Sequence, residues 1–248
     1  MPLETPWTIN WLKKVYLTGI DLTDDQGNAF PDDIYQFGLD SAKQWLMNQL
    51  DIVIPKATYT DRHDFNSMQF GEWWLINLDR RPVRQIKEIH MQFGSMEVLQ
   101  IPSSWITEVV PETGQVQLVP DSGTLMTWPL AQLAFYAASM LSTYGKVPGW
   151  YRVVYDAGYD TTEMPYDVLD LGGKHAAIHP LITAGNLIIG AGLASKTVAV
   201  DGVSQSVNTT LAPSASGYGS MLTQYRRDID RDLPIVRRRF HGMPMRVV

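Results

Sequence analysis

Residues 195–210 read SKTVAVDGVSQSVNTT. Asp201-Gly202 stands between two alternating runs, the strongest short-range signal for a two-residue hairpin turn. Pairing outward from it sets Val200 opposite Val203, Val198 opposite Gln205 and Lys196 opposite Val207. The other face carries Ala199 with Ser204 and Thr197 with Ser206. A two-stranded hairpin on its own is marginal in water. Its valine face therefore needs a cover, from the chain itself or from a neighbour.

The segments flanking this hairpin are helical in texture. Upstream, MPYDVLDLGGKHAAIHPLITAGNLIIGAGLAS (residues 164–195) predicts a helix in which Pro180 starts a new turn or makes a kink. Downstream, the polar loop NTTLAPSASGYG leads into SMLTQYRRDIDRDLPIVRRRFHG (220–242), read as a charged helix interrupted near Pro234. At the other end of the chain, TINWLKKVYL (8–17) predicts a short helix with Thr8 as N-cap. PDDIYQFGLDSAKQWLMNQLDI (31–52) predicts a longer one, with Asp32 and Asp33 favoured by the helix dipole. Its helical stripe is read as Ile34, Phe37, Ala42, Trp45, Leu46 and Gln49-Leu50.

Between these helical ends the texture changes. EWWLINL, IKEIHMQF, MEVLQIP, WITEVVP, GQVQLVP and WYRVVYDAGY are short β-like runs set apart by Pro, Gly and Asp. They predict a small sandwich or barrel-like sheet, with PLAQLAFYAASMLSTYG (129–145) as a helix among them and Trp73, Trp74, Trp105 and Trp150 as core anchors. The expected fold class is α+β: N- and C-terminal helices forming a helical-bundle core, an inserted β-sheet module and a long β-hairpin. The expected division is 1–56, 57–160 and 161–248, the last holding the hairpin at 195–210 and a basic tail at 221–248.

The 248 residues are 45% hydrophobic and 19% charged, the balance of a folded chain. There are no cysteines, which excludes disulfides, zinc–thiolate sites and thiol catalysis. The opening MPLETPWTINWLKK lacks a basic region followed by an apolar core, so no secretory signal is expected. The longest apolar run, LITAGNLIIGAGLA, has fourteen residues and includes Thr183 and Asn186. That is short of the roughly 18–20 needed to span a bilayer, so no membrane partner is expected.

Candidate chemistry is sparse. His175 and His179 are four apart, the spacing of two zinc ligands on one helical face, but Ala176 stands where a metalloprotease has glutamate. A polar helix edge is the favoured reading. GAGLAS (190–195) closes a helix and precedes a strand, the reverse of a dinucleotide-binding loop. Asp228, Asp230 and Asp232 alternate by two among arginines and read as ion pairs. No catalytic residue, cofactor or metal is expected, and the chain is not read as an enzyme.

Charge is the least ordinary feature. The net charge is −6, yet residues 1–220 carry −10 and residues 221–248 carry +4. The basic residues of that tail are all arginine: Arg226, Arg227, Arg231, Arg237, Arg238, Arg239 and Arg246. Arginine favours planar, forked contact with carboxylates or phosphates. Nucleic-acid binding would add lysines and an overall positive charge, so a protein partner is favoured, with Phe240 and the nearby methionines as apolar anchors.

Five stretches, taken in order, resemble the head–tail connector (adaptor) proteins of tailed bacteriophages, which form the neck beneath the portal. They are YLTGIDLTDDQGNAFPDDIYQFGLDSAKQWLMNQLDI, IPSSWITEVVPETGQVQLVP, KVPGWYRVVYDAGYDTTEMPYDV, AGNLIIGAGLASKTVAVDGVSQSVNTT and GYGSMLTQYRRDIDRDLPIVRRRFHG. The specific part is the series helix, glycines, Asp-Gly hairpin, polar loop and charged helix. The resemblance implies a structural virion protein, assembled in the host cytoplasm, that forms a ring of usually twelve copies. That ring docks under the portal, meets the next neck or tail protein and extends the channel through which genomic DNA passes without sequence-specific binding. On this reading Arg226, Arg227, Arg231, Arg237, Arg238, Arg239, Phe240 and Arg246 contact the portal or a neighbouring subunit. Val198, Val200, Asp201, Gly202, Val203, Ser204 and Ser206 face a subunit or the lumen. A chain cut after Pro234 is expected to fold but not to join portal rings. The alternatives are a tail or baseplate protein of the same virus class, or a membrane-active pore-forming protein.

Overall fold

A computed structural model describes residues 5–20, 22–24, 26–66, 75–119, 145–189, 195–200, 203–208 and 218–241, the hairpin strands by their backbone. The chain is α+β, with four α-helices and antiparallel sheets among the described residues. It divides into two compact units. The first comprises residues 1–49 and 161–237, and the second residues 50–160 and 238–248.

The first unit is helical. Helix α1 (Ile9–Val15) is capped by Thr8, whose side chain accepts from the Trp11 amide. Helix α2 (Asp32–Leu50) opens with Asp32 and Asp33 in its first turn. Its buried stripe is Tyr35, Leu39, Ala42, Leu46 and Leu50, spaced by four and three as an amphipathic helix requires. Phe37, expected in that stripe, is instead 60% exposed, because it lies two positions from both Tyr35 and Leu39 and so on another side of the helix.

Helix α3 (Tyr166–Ile189) runs through Pro180 as one element. Pro180 has no N–H to give the Ala176 carbonyl four residues back. A Cβ added at Gly38 of α2 would meet that carbonyl oxygen at 2.5 Å and Pro180 Cδ at 3.6 Å. The two helices thus approach closely where one lacks a side chain and the other a hydrogen bond. One turn before Ala176 on α3, a Cβ at Gly172 would run into the Trp7 ring, and one at Gly173 into the Tyr16 ring. The glycine pair is a seat for two N-terminal aromatics.

The last helix, α4 (Gly219–His241), also contains its proline, Pro234, without interruption. The break expected near Pro234 is absent. Between α3 and α4, strands β8 (Ser195–Val200) and β9 (Val203–Asn208) pair with Val200 opposite Val203, Val198 opposite Gln205 and Lys196 opposite Val207. This is the register that a two-residue Asp201-Gly202 turn predicts; the turn residues lie outside the described set.

The second unit is a two-sheet module. Strands β1 (Ala57–Asn66), β3 (Val83–Phe93), β4 (Met96–Gln100) and β7 (Lys146–Ala157) form a four-stranded sheet in the order β1-β7-β3-β4. Strands β2 (Leu75–Asn77), β5 (Ile106–Val110) and β6 (Gln115–Leu118) form a three-stranded one in the order β2-β6-β5. Both sheets turn side chains into one core, in which Ile76, Val116 and Leu118 meet Ile89, Tyr151, Val153 and Tyr155. Trp105 and Trp150 belong to this core, whereas Trp73, Trp74 and the helix expected at 129–145 fall outside the described residues, apart from Gly145. β1 was not legible as a strand: ATYTDRHDFN is an edge strand whose outer positions are polar.

Across the four-stranded sheet, Asp156 takes a 2.7 Å ion pair from Lys87 and a 2.5 Å hydrogen bond from the Thr58 hydroxyl. Asp64 accepts from the Gly149 amide at 2.8 Å and pairs with Lys146 at 3.3 Å. These donors hold both carboxyls below the usual aspartate range. A carboxyl depressed in the folded state adds stability above its unfolded pKa of about 3.9 and loses it as pH falls through the folded value. The urea midpoint of this unit should therefore fall as pH drops below about 4, and Asp156→Asn should reduce that dependence. An unchanged acid profile in the variant would show that the Lys87 pairing carries none of it.

Candidate interaction surfaces

Helix α4 carries the arginines because its two faces differ. Leu222, Ile229, Val236 and Phe240 are buried at spacings of seven and four, and the opposite side is polar. Arg226, Arg227, Arg231, Arg237, Arg238 and Arg239 are all exposed, and Ile235 stands among them at 65% exposure. Arg246 lies outside the described residues.

The acidic residues of α4 are mostly engaged. Arg231 forks onto Asp232, with Nε to Oδ1 at 2.8 Å and Nη2 to Oδ2 at 2.9 Å, and also reaches Asp228 at 3.2 Å. The fork holds the Asp232 carboxyl below its ordinary value. Asp228 meets Lys174 of α3 at 3.4 Å, and Lys174 pairs with Asp170 at 2.7 Å. Asp170 accepts from the Tyr16 hydroxyl, and Tyr225 donates to the Tyr16 carbonyl at 2.7 Å. Burial, then the Asp170 charge, raises the Tyr16 pKa, so its proton stays in place for this bond. The network joins α1, α3 and α4 and neutralises two carboxylates of the α3–α4 pair. It leaves Arg226 and Arg227 as exposed positive charge.

Phe240 requires a correction. Expected to anchor a partner, it is fully buried in its own chain, edge-on to Tyr159 at 6.3 Å. Its carbonyl accepts from Arg81 Nη1 at 3.0 Å. A fully buried ring has no surface left to offer. A chain cut after Pro234 loses the buried side chains of Val236 and Phe240 and is therefore expected to be destabilised.

Among the described residues no group of three or more ligating residues gathers at His175 and His179. His175 stacks on Trp45 at 4.4 Å with the rings 14° apart, and His179 packs against Phe37 at 4.7 Å. Burial lowers the His175 pKa, which favours a neutral ring in that stack. No described helix is long and apolar enough to cross a membrane.

The hairpin residues Val198, Val200, Val203, Ser204 and Ser206 take their paired positions on β8 and β9. Their side-chain contacts, and Asp201 and Gly202, lie outside the described set. Among the described strands none pairs with either outer edge of the hairpin.

No family model and no curated protein sequence matches this chain.

A feature the sequence did not signal lies in the β module. A cavity of about 330 Å³ is lined by Arg62, His63, Asp64, Asn77, Asp79 and Tyr151, among others. His63 and Tyr151 face each other across β1 and β7, and both are buried. Burial lowers the His63 pKa against the pull of Asp79, whose carboxylate lies 3.8 Å away. His63 Nε2 and the Tyr151 hydroxyl are shielded from solvent and have no hydrogen-bond partner among the described residues.

Proposed function

We propose that this chain is a structural subunit of the neck of a tailed bacteriophage, one copy in a ring that sits under the portal and extends the DNA channel. The observation that carries this reading is the isolated two-stranded hairpin between α3 and α4, an element that a single chain leaves without a third strand among its described residues. A neighbouring copy supplies what the hairpin needs to persist. The exposed arginines of α4 support the same reading, since the rest of the chain is acidic and each copy presents complementary charge to another. An acidic body also suits a channel in which DNA slides, because lysine and arginine contacts to phosphates create binding and hence drag. A tail or baseplate ring is the second reading, favoured by the same hairpin and distinguished by position in the virion.

Native mass spectrometry with negative-stain imaging tests the assignment. A closed ring with a central channel is expected, at the copy number of one neck layer in purified virions. Capsid-like abundance, or absence from virions, would sink it. Charge at a rim steers association, so Arg226→Glu with Arg227→Glu should slow binding to portal rings about tenfold at low salt. The loss should shrink as salt rises. Unchanged portal binding together with lost DNA affinity would make the helix a nucleic-acid arm instead.

A further inference from the structure

The sheets of this chain treat their edges differently. Edge strand β1 of the four-stranded sheet carries Asp61, Arg62 and Asp64 and has a register shift between His63 and Phe65. The opposite edge, β4, has five residues and a register shift in its pairing with β3. Charges, bulges and short strands are the usual means by which an edge avoids pairing with another chain. The hairpin has only one of them, a single charge. Its six pairs run without a shift, neither strand contains proline, and Lys196 is the only charge in either strand.

The register fixes which backbone groups are left over. Val200 and Val203 flank a two-residue turn and form its hydrogen-bonded closing pair. Hydrogen-bonded and non-hydrogen-bonded pairs then alternate. Val198 with Gln205 and Lys196 with Val207 therefore exchange their own N–H and C=O groups. Thr197 and Ala199 turn theirs to the β8 edge, and Ser204 and Ser206 turn theirs to the β9 edge.

We propose that the hairpin joins copies of this chain edge to edge, the β9 edge of one subunit hydrogen-bonding to the β8 edge of the next, so that the ring is closed by a continuous β-barrel of hairpins. The inference rests on the ring reading above and names the contact that makes the ring. The geometry suits it. The two edges differ, so the contact is head-to-tail and closes by rotation. Successive strands alternate in direction, so each new junction is antiparallel like the hairpin itself. Full closure also removes every edge, the one arrangement that leaves no unpaired strand.

Two measurements on the full-length chain decide it. In amide hydrogen exchange, assembly of the wild-type ring should protect Thr197, Ala199, Ser204 and Ser206, while the inward amides of Val198 and Gln205 are protected by the hairpin alone. Separately, Ala199→Pro and Ser204→Pro each delete one outward donor and spare the hairpin's own bonds, a placement that edge strands tolerate. Each should abolish rings in native mass spectrometry, whereas Ala199→Ser and Ser204→Ala, which keep the N–H, should assemble normally. Rings whose four outward amides exchange freely, or rings that form with either proline, overturn the edge pairing and leave the ring reading standing. A wild-type chain that forms no ring, alone or with portal, overturns both. Should the proline chains misfold, the exchange pattern of the wild type still decides.

Discussion

Phe240→Ala is expected to destabilise the β unit by about 3–5 kcal/mol, the range for emptying a fully buried aromatic position. The ring is completely enclosed and meets Tyr159 edge-on, with the ring planes 89° apart. Edge-to-face pairs of this kind contribute about 0.5–1.5 kcal/mol beyond area burial. The backbone at the same residue is held by Arg81, whose Nη1 also lies 3.5 Å from Asp51. Truncating the ring therefore opens a cavity beside an anchored backbone that cannot readily collapse into it. Urea unfolding followed by tryptophan fluorescence reads the effect, because Trp105 and Trp150 report on this unit's core. Ile235→Ala, at an exposed site five residues earlier on the same helix, should change stability by no more than about 0.5 kcal/mol. A Phe240→Ala chain with an unmoved midpoint and lost portal binding would make this side chain a contact residue and not a core one.

The second large effect is expected at Gly38. Gly38→Ala places a methyl group 2.5 Å from the Ala176 carbonyl oxygen, well inside van der Waals contact. The obstacle is backbone, so no side chain can swing aside and α2 must move away from α3. Overpacking of this kind costs about 1–3 kcal/mol, occasionally more. Alanine's better helix propensity returns about 1 kcal/mol. The net loss is then up to about 2 kcal/mol, which lowers the melting temperature of a unit this size by up to roughly 8 °C. Ser41→Ala, one turn along the exposed side of α2, is the control and should melt like the parent. A Gly38→Ala chain as stable as the parent would mean that the helices separate at almost no cost.

The sequence by itself determined the elements whose signals are local. Thr8 caps α1, the paired aspartates open α2, and alternation with Asp201-Gly202 set the hairpin register, because each depends on side-chain period or turn chemistry within a few residues. The α+β class and the β texture of the middle of the chain followed from the same periodicities. The tertiary structure decided what depends on a distant surface. Pro234 read as a break and Pro180 as a new turn or a kink; each sits inside a continuous helix, and at Pro180 the freed Ala176 carbonyl lies against Gly38. Gly172 and Gly173 carry no local signal in the sequence and form the seat of Trp7 and Tyr16, residues over 150 positions away. β1 was illegible because an edge strand shows one polar side to solvent and lacks the apolar run that marks a central strand. Phe240 was misassigned for a related reason. An aromatic among six arginines reads as an exposed anchor, but a helix separates neighbours in sequence by 100° around its axis, so Arg239 meets solvent while Phe240 faces the core. Burial is a property of what lies opposite, and for this residue it is Tyr159, which no local pattern names.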